Sequence, residues 1–378
     1  MTTQFDNLDT PAAIVDVERM KRNIQRMQTK ATTLGVRLRP HVKTTKCIRV
    51  VAEQVKAGAT GITVSTLKEA DYLFESGVTD VLYAVAIAPH KLAHAAELSR
   101  KGCALKIITD SVAGANAIVE YGQMNGITFD VFIEIDSDSH RSGVKPEDPL
   151  LISIATILQQ EGANLVGVLT HAGESYKLST QEALEDMAEL ERSKCVEAAE
   201  KIRAAGMSCL EVSVGSTPTA LSATNLAGVT ELRAGVYVFF DLVMLNIGVC
   251  QVDELALSVL TTVIGHQPEK GWIITDSGWM AMSRDRGTQA QKKDFGYGQV
   301  CSEDGTVIEG LLLGSANQEH GVVSYQNGQS VGVVEQYPIG SRLRILPNHA
   351  CATGAQFPEY HALSKGEQTV IWQRLSGW

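Results

Sequence analysis

Residues 61–85, GITVSTLKEADYLFESGVTDVLYAV, predict a strand, a helix and a second strand within one short stretch. The first run, residues 61–66, is rich in β-branched side chains, and residues 80–85 form a second apolar run. Between them, residues 67–76 repeat apolar side chains at helical spacing. Continuous apolar runs are typical of parallel strands, because the connecting helices bury both faces of the sheet. The stretch therefore predicts a β–α–β unit.

The same alternation extends from about residue 37 to residue 241. Eight short runs are predicted as strands: 37–42, 61–66, 80–85, 104–109, 130–136, 165–171, 210–215 and 231–239. Helical patterns fill the intervals, among them residues 67–76, 91–101, 113–124 and 181–205. Eight strands, each followed by a helix, fit a parallel (β/α)8 barrel of roughly 200–250 residues. A doubly wound open sheet is the alternative fold.

After about residue 252 the helical intervals disappear. The predicted strands of this part are residues 255–266, 271–275, 343–346 and 369–375. The turn pairs Asp304-Gly305 and Asn327-Gly328 lie among them. We therefore predict a barrel over residues 12–250 and a mostly β domain over residues 251–378, with residues 1–11 as a candidate addition to the β domain.

Charge and composition exclude several classes of partner. The 378-residue chain has a net charge of -10 and a pI near 5.4, so it lacks the basic surface that nucleic acids and anionic membranes require. A small-molecule substrate is the expected partner. The N-terminus has no basic start followed by an apolar stretch, and the most apolar window, residues 235–249, is too short to cross a bilayer. The expected location is the cytoplasm, which also suits seven scattered cysteines as reduced thiols.

Polar side chains follow several of the predicted barrel strands, where barrel enzymes place their reactive groups. Lys43 follows the first run, and a lysine at an enclosed barrel mouth can lose its charge and attack an aldehyde. Arg141 lies after the fifth run, His171 closes the sixth run and Arg233 lies in the eighth. Taken singly, each of these side chains could instead be an ordinary solvated or hydrogen-bonded group.

The loop after the seventh run, VGSTPT at residues 214–219, is small, hydroxylated and led by glycine. It stands just before a helix, where backbone N–H groups and hydroxyls can hold a phosphate, and barrel enzymes commonly use the loops after strands seven and eight for this. The predicted phosphate cup consists of Gly215, Ser216, Thr217, Gly235 and Val236. A lysine opposite such a cup suggests pyridoxal phosphate, held covalently by Lys43. A phosphorylated sugar would explain the cup alone.

Near the C-terminus, PNHACATG at residues 347–354 places His349 and Cys351 two residues apart in a segment that resembles a strand. Alternate residues of a strand face the same side, so both side chains could reach one metal ion. A structural zinc site needs four protein ligands, and the sequence has no C-x-x-C unit to complete one. A metal held by two protein ligands keeps open positions for chemistry. A buried thiol beside a hydrogen-bonded histidine is the structural alternative.

Five segments resemble those that hold the cofactor in the fold-type III pyridoxal phosphate enzymes, which join an alanine-racemase-like barrel to a β domain. They are RPHVKT (39–44), HRSGV (140–144), LTHAG (169–173), VGSTPT (214–219) and RAGVY (233–237). The resemblance covers essentially the whole chain, and it implies that Lys43 carries the cofactor, Arg141 meets its phenolic oxygen and Arg233 its pyridine nitrogen. The other residues predicted to contact the cofactor are His171, Tyr176, Gly215, Ser216, Thr217, Gly235, Val236 and Tyr237.

Within that family the chain is most similar to a group of D-serine dehydratases, D-threo-3-hydroxyaspartate dehydratases and D-threonine aldolases. The similarity is carried by GITVSTLKEA (61–70), FFDLVM (239–244), MAMSRDRG (280–287), DFGYGQV (294–300) and NHACATGAQFP (348–358). It implies a lyase that acts on a β-hydroxy D-amino acid. It also implies a head-to-tail homodimer.

The His349–Cys351 pair distinguishes a dehydratase from an aldolase. A dehydratase must expel hydroxide from the β-carbon, which needs a Lewis acid, and zinc prefers imidazole and thiolate ligands. The aldolases that this chain resembles carry an H-x-D segment there, and aspartate suits magnesium or manganese. We therefore predict a dehydratase that uses pyridoxal phosphate and zinc, with manganese or magnesium as less favoured metals, to convert D-threo-3-hydroxyaspartate or D-serine to a keto acid and ammonia. The alternatives are aldolase cleavage, epimerisation at the α-carbon and a pyridoxal phosphate carrier. The known carriers resemble only the barrel half.

Overall fold

The computed structural model describes Phe5, residues 8–364 and residues 368–378. Its strands are β1 (Ala12–Asp16), β2 (Arg37–Leu38), β3 (Ile62–Val64), β4 (Asp80–Ala86), β5 (Ala104–Thr109), β6 (Phe129–Glu134), β7 (Ala163–Leu169), β8 (Glu211–Val214), β9 (Glu231–Leu232), β10 (Leu257–Gln267), β11 (Trp272–Thr275), β12 (Gly298–Ser302), β13 (Val307–Ala316), β14 (Gly321–Tyr325), β15 (Arg342–Pro347), β16 (Glu359–Leu363) and β17 (Val370–Gln373). Its α-helices are α1 (Val17–Thr33), α2 (Ile48–Ala57), α3 (Leu67–Glu75), α4 (Leu92–Arg100), α5 (Val112–Asn125), α6 (Leu150–Ile157), α7 (Gln181–Ala204), α8 (Thr217–Ser222), α9 (Leu242–Ile247), α10 (Trp279–Met282), α11 (Val333–Gln336) and α12 (Ala350–Gly354).

The chain divides into two compact units. The barrel unit comprises Gln25–Gly235 with Gly377–Trp378, and the sheet unit comprises Met1–Ile24 with Val236–Ser376. The limits expected from the sequence, 12–250 and 251–378, differ from this division, because residues 12–24 and 236–250 are grouped with the sheet unit. The N-terminal residues are grouped with the sheet unit because β1 is one of its strands: it pairs with β10 on one side and with β16 on the other.

The barrel unit is built on parallel strands in the order β2-β9-β8-β7-β6-β5-β4-β3. An isolated parallel bridge between His41 and Thr63 joins the two ends of this sheet. Each of the eight runs predicted as barrel strands overlaps one of these strands, so the predicted (β/α)8 barrel is confirmed. Buried side chains of four successive strands form one core cluster, which consists of Leu82, Ile108, Phe132 and Leu169.

Capping side chains explain why several barrel helices begin where they do. Thr66, Ser111 and Thr180 stand directly before α3, α5 and α7, and each side chain accepts a hydrogen bond from a backbone N–H of the first turn. Such caps satisfy N–H groups that a helix leaves unpaired. The helices predicted over residues 67–76, 91–101, 113–124 and 181–205 are all present, with ends within one residue of the prediction.

The sheet unit contains one sheet in the order β11-β14-β13-β12-β15-β10-β1-β16-β17, and β11 also pairs with β10. Its pairings are antiparallel, apart from the parallel pair of β1 and β16. Phe5, Ala12, Ile14 and Leu260 form a buried apolar cluster of this unit. The Asp304-Gly305 turn connects β12 to β13, and the predicted mostly β character of this part of the chain is confirmed.

Candidate active site

Lys43 lies just beyond β2, in a 3-10 turn of residues 42–44. Its neighbours Val42 and Thr44 are buried, whereas Lys43 is exposed. The Lys43 backbone N–H donates to His41 Nδ1 at 3.4 Å, which fixes the turn. Across the described part of the chain, no side chain hydrogen-bonds or ion-pairs with the Lys43 ammonium group. The Lys43 amine, beyond the carboxyl end of β2, can therefore bind a ligand without first breaking an ion pair.

Positive charges from separate segments of the barrel unit gather around His41. Burial, helped by the charges on the surrounding groups, holds the pKa of His41 well below its usual value; those groups are Lys43, Arg233, His171 and Arg141. Burial also lowers the pKa of His171 to about 3, although its Nδ1 donates to Gly215 O at 3.0 Å. Both imidazoles are therefore neutral, and the cationic side chains Lys43, Arg141 and Arg233, predicted from three segments, form one cluster around them.

The two arginines of this cluster differ in how firmly they are held. Arg233 is buried, and its guanidinium donates to Ser213 Oγ at 2.9 Å and to Thr170 O at 2.7 Å. Arg141 is half exposed, and its guanidinium lies 3.7 Å from Glu134 Oε1. Burial raises the pKa of Glu134 despite the nearby Arg141. Arg233 is thus a fixed charge, whereas Arg141 is free to adjust to a ligand.

The loop after β8 is braced from inside the protein. Gly215 N–H donates to Glu191 Oε1 at 3.0 Å, and Ser216 N–H donates to Thr219 Oγ1 at 3.0 Å. These two amides were expected to cradle a phosphate, and here they already have protein acceptors. The Ser216 hydroxyl lies 2.9 Å from each of the Ser175 and Thr219 hydroxyls, and its single proton can go to either of them or to a ligand. The hydroxyls, more than these amides, are the groups of this loop that a phosphate can use.

Glycine is required where β9 ends. A Cβ on Gly235 would lie 2.9 Å from His41 O and 3.3 Å from Thr44 Oγ1, so only glycine allows this approach of backbone to backbone. Val236 and Tyr237 are buried and begin a 3-10 turn in the sheet unit. The eighth predicted run, residues 231–239, therefore holds a two-residue strand followed by a turn.

Tyr176 belongs to the 3-10 turn Gly173–Lys177. Its ring centroid lies 6.2 Å from that of His171, and the two rings are tilted by 50°. Tyr176 therefore lies beside His171, and its contact with a cofactor stays a prediction.

His349 and Cys351 do not lie on a strand, and this part of the sequence prediction is wrong. β15 ends at Pro347, His349 has the extended backbone of a helix N-cap residue, and Cys351 lies in the first turn of α12. The helix turn nevertheless brings the two side chains together, because they form a hydrogen bond with each other. Burial alone would lower the pKa of His349, but the charge on Cys351 and the hydrogen bond to Asp285 hold it well above its usual value.

Two aspartates that the sequence prediction missed organise this pair. His349 Nδ1 donates to Asp285 Oδ2 at 2.7 Å, which leaves Nε2 as the ring nitrogen available to a metal. Asp241 is buried, and its carboxylate accepts from Ala350 N–H at 2.9 Å and from Met244 N–H at 3.0 Å. Burial raises the pKa of Asp241. Asp285 thus orients the imidazole, and Asp241 ties the start of α12 to the start of α9.

These donors fit a catalytic metal better than a structural one. An imidazole with an oriented Nδ1–H and a neighbouring thiol are ligands that zinc prefers. Over Phe5 and residues 8–364 and 368–378, no group of three or more His, Cys, Asp or Glu side chains is placed to hold a metal ion together. A metal bound by His349 and Cys351 would therefore keep open coordination positions.

The barrel cluster fits pyridoxal phosphate by its charge and its amine. Lys43, Arg141 and Arg233 are positively charged side chains close to two neutral imidazoles, and the cofactor carries a phosphate and a phenolate. The exposed Lys43 amine is the nucleophile that an aldehyde requires. The residues present in the barrel unit therefore suit this cofactor.

Glu191 is a third residue that the sequence prediction missed. The buried side chains of α7 include Leu184, Ala188, Glu191 and Cys195, at spacings of four, three and four residues. A glutamate on such an apolar stripe is a signal, because a buried carboxylate must have hydrogen-bond partners. The contacts that tie Asp285 to His349 and Asp241 to Ala350 gave no comparable signal, since 64 and 109 residues separate the two partners.

Comparison with known proteins assigns the chain to a family. A family model described as the alanine racemase N-terminal domain matches residues 15–243, and one described as a putative serine dehydratase domain matches residues 256–363. The chain is 61% identical to the D-threo-3-hydroxyaspartate dehydratase of Delftia sp. (strain HT23) over 98% of both chains. The chain belongs to the D-serine dehydratase family of alanine-racemase-like proteins.

Other members of the D-serine dehydratase family agree with this assignment. The D-serine dehydratase of Dictyostelium discoideum is 30% identical over 97% of this chain and 96% of its own length. A solved structure of a cysteine-to-alanine variant of D-threo-3-hydroxyaspartate dehydratase, in a metal-free form, matches with a TM-score of 0.98 and 60% identity over 100% of both chains. The alanine-racemase-like fold expected from the sequence is thereby confirmed.

No helix in the described part of this family member is both long and apolar enough to cross a membrane.

Proposed function

We propose that the protein is a carbon–oxygen lyase that eliminates water from a β-hydroxy D-amino acid. D-threo-3-hydroxyaspartate is the first candidate substrate and D-serine the second. The observation that carries this proposal is the 61% identity, over 98% of both chains, to an enzyme named for the first substrate. Loss of water leaves an enamine, which takes up water and releases ammonia, so the products are a 2-keto acid and ammonia.

Pyridoxal phosphate is the proposed cofactor, and it supplies the electron sink that makes removal of the α-proton feasible. The residues assigned to it are Lys43, Arg141, His171, Tyr176, Gly215, Ser216, Thr217, Arg233, Gly235, Val236 and Tyr237. His171 offers an uncharged ring, because its Nδ1–H is held by Gly215 O and burial lowers its pKa to about 3. Arg233 is held by Ser213 and Thr170, so it contributes a fixed positive charge.

Lys43 is assigned two tasks, which are to bind the cofactor and to remove the α-proton of the substrate. Its amine is exposed and has no ion pair among the described residues, so it is available for both tasks. The bond from Lys43 N–H to His41 Nδ1 fixes the turn from which the side chain projects.

Zinc is the proposed metal, and it supplies the Lewis acid that takes up the charge of the departing hydroxide. His349 and Cys351 are assigned as its protein ligands. Asp285 orients His349 through the 2.7 Å bond to Nδ1, and the Cys351 thiol is a soft donor that zinc prefers. Manganese and magnesium are less favoured because both prefer oxygen ligands.

We further propose a head-to-tail homodimer in the cytoplasm, on the strength of the family resemblance. The chain has a mass of 40.7 kDa, so light scattering coupled to gel filtration should give about twice that value.

A substrate panel tests the proposed reaction. Purified protein reconstituted with pyridoxal phosphate and zinc is incubated with D-threo-3-hydroxyaspartate, D-serine, D-threonine and the L-isomers, and the keto acid and ammonia are measured. We expect equal amounts of keto acid and ammonia from a D-substrate, and loss of both on chelation. K43A should lose turnover and the bound-cofactor absorbance, whereas K56A, which changes an exposed lysine of α2, should retain both.

The same panel separates the alternatives. Glycine plus an aldehyde would indicate an aldolase, and cofactor binding without any product would indicate a carrier protein. The serine dehydratase domain over residues 256–363 favours an enzyme over a carrier, because the carriers resemble only the barrel half.

A further inference from the structure

Glu191 is a buried carboxylate that the proposed reaction does not use. It lies on α7, and its Oε1 accepts hydrogen bonds from Ala172 N–H at 2.9 Å and from Gly215 N–H at 3.0 Å. Its Oε2 accepts from the Thr219 hydroxyl at 2.6 Å. One side chain therefore joins three segments: the turn after β7, the loop after β8 and helix α8.

These hydrogen bonds fix the backbone of the predicted phosphate loop, residues 214–219. The Gly215 residue is held at both ends, because its N–H donates to Glu191 and its C=O accepts from His171 Nδ1 at 3.0 Å. The residue before Ala172 is His171, so the second N–H bond to Glu191 fixes the backbone that carries this imidazole. Glu191 therefore sets the position of the loop and of the His171 ring together.

A chain of hydroxyl groups extends the brace. The Thr219 hydroxyl lies 2.9 Å from the Ser216 hydroxyl, which lies 2.9 Å from the Ser175 hydroxyl. Ser175 in turn donates to Ala172 O at 2.7 Å. All members of this chain are buried, so a loss at Glu191 would leave donors without acceptors and the loop would have to rearrange.

We propose that Glu191 is the positioning residue of the pyridoxal phosphate site, holding the loop after β8 and the His171 ring in the arrangement that binds the cofactor. This inference rests on the proposed function, because it assumes that the loop binds the cofactor phosphate. Glu191 acts through Gly215, Ala172 and Thr219 and is assigned no contact with the cofactor. Glutamine keeps an acceptor, its amide oxygen, for the two N–H groups, and its NH2 can donate to the Thr219 hydroxyl. That hydroxyl can then donate to Ser216 O, which lies 3.3 Å away, so E191Q should largely preserve the brace.

The test compares cofactor binding by the apoenzyme of four proteins: wild type, E191A, E191Q and E189A. Glu189 lies on the same helix, is half exposed and pairs with Arg192, so E189A is a matched control. Dissociation constants for pyridoxal phosphate and for pyridoxal, which lacks the phosphate, are measured by fluorescence quenching. Melting temperatures of the apoenzymes are recorded in parallel. T219V removes the Thr219 hydrogen bond to Glu191 and replaces E191A in the comparison if E191A does not fold.

We expect E191A to bind pyridoxal phosphate at least tenfold more weakly than wild type, with a smaller effect on pyridoxal. The dissociation constant of E191Q for pyridoxal phosphate should remain within about threefold of the wild-type value, and that of E189A should equal it. The value for T219V should lie between those of wild type and E191A. Wild-type affinity in E191A, or in T219V where E191A does not fold, would overturn the proposal. An equal loss for both ligands that follows the fall in melting temperature would also overturn it, since a merely structural role has that signature. Failure of wild type to bind pyridoxal phosphate would instead contradict the proposed function.

Discussion

Cys351 is the residue at which the chemistry of the proposed metal is decided. It is the second residue of α12, and its side chain hydrogen-bonds to His349, whose Nδ1 is held by Asp285. A thiolate and an imidazole favour zinc, whereas an aspartate in place of the thiol would offer a hard oxygen ligand. The identity of residue 351 should therefore control both the metal and the reaction.

Cys351→Asp tests this dependence. We expect zinc affinity, measured by competition with a chromophoric chelator, to fall at least ~100-fold, because the soft ligand is lost. Dehydratase kcat/KM should fall by at least a similar factor, while bound-cofactor absorbance is unchanged. C103A, which removes a different buried thiol, should keep both zinc and activity. Retention of zinc and turnover by C351D would remove Cys351 from the metal site.

Site residues could be proposed from the sequence where the pattern that marks them lies within a few neighbouring residues. Lys43 comes directly after the predicted run 37–42; in the structure β2 ends at Leu38, and Lys43 is exposed in the turn that follows. His349 and Cys351 were paired through a strand periodicity that is wrong, since a helix begins after His349. Asp285 was missed as their orienting partner because 64 residues separate it from His349, and no local pattern encodes that contact.

The loop between β8 and α8 depends on a glycine for two independent reasons. Gly215 has a φ of +138°, a conformation that other residues rarely adopt. A Cβ there would also lie 2.0 Å from Arg233 O on the neighbouring segment. The loop therefore combines a backbone conformation with a close approach that together admit no side chain.

Gly215→Ala should destabilise the apoprotein by about 3 kcal/mol or more, because backbone strain and a clash with main chain add together. Gly206→Ala is the matched control, since Gly206 has a φ of +81° but open space around the added Cβ. That variant should lose only about 1 kcal/mol. Urea unfolding of both variants measures the difference. Equal losses of unfolding free energy in the two variants would mean that the close approach of Gly215 to Arg233 O contributes nothing to the cost of the substitution.

Elements were predictable where hydrophobic runs and turn signals coincide. β5 (Ala104–Thr109) has the predicted ends, because an apolar run is bounded by the preceding turn and by the Ser111 cap of α5. The strand predicted over residues 231–239 was wrong for most of its length, since only Glu231–Leu232 pairs as β9. The apolar residues after Gly235 are buried in a 3-10 turn, and apolarity alone does not distinguish such a turn from a strand.

At the scale of the whole molecule, the sequence predicted the two architectures but not where the chain passes between them. The alternation of strands and helices specifies the barrel, and its loss after residue 252 specifies the second sheet. The position of β1 could not be read locally, because an N-terminal strand gains its partners, β10 and β16, from residues more than 240 positions away. Pairing at that separation leaves no trace in local periodicity.

Glu191 should make the stability of the whole molecule depend on pH. Burial raises its pKa from an ordinary value of 4.5 to about 7, although hydrogen bonds from Thr219, Ala172 and Gly215 and the charge on Arg233 oppose the shift. Between these two values the folded protein holds a proton that the unfolded chain releases. The stability that this group contributes is therefore complete below pH 4.5 and is lost as the pH rises to about 7.

Glu191→Gln removes this titration and so isolates it. We expect the free energy of unfolding of wild type, measured relative to E191Q, to fall by on the order of 2 kcal/mol between pH 5 and pH 7 and to stay level above pH 7.5. Urea unfolding of both apoproteins at matched pH values measures it, and the subtraction cancels the other titrating groups. A difference that rises with pH would mean that the three hydrogen bonds outweigh burial and that Glu191 is charged in the folded protein at neutral pH.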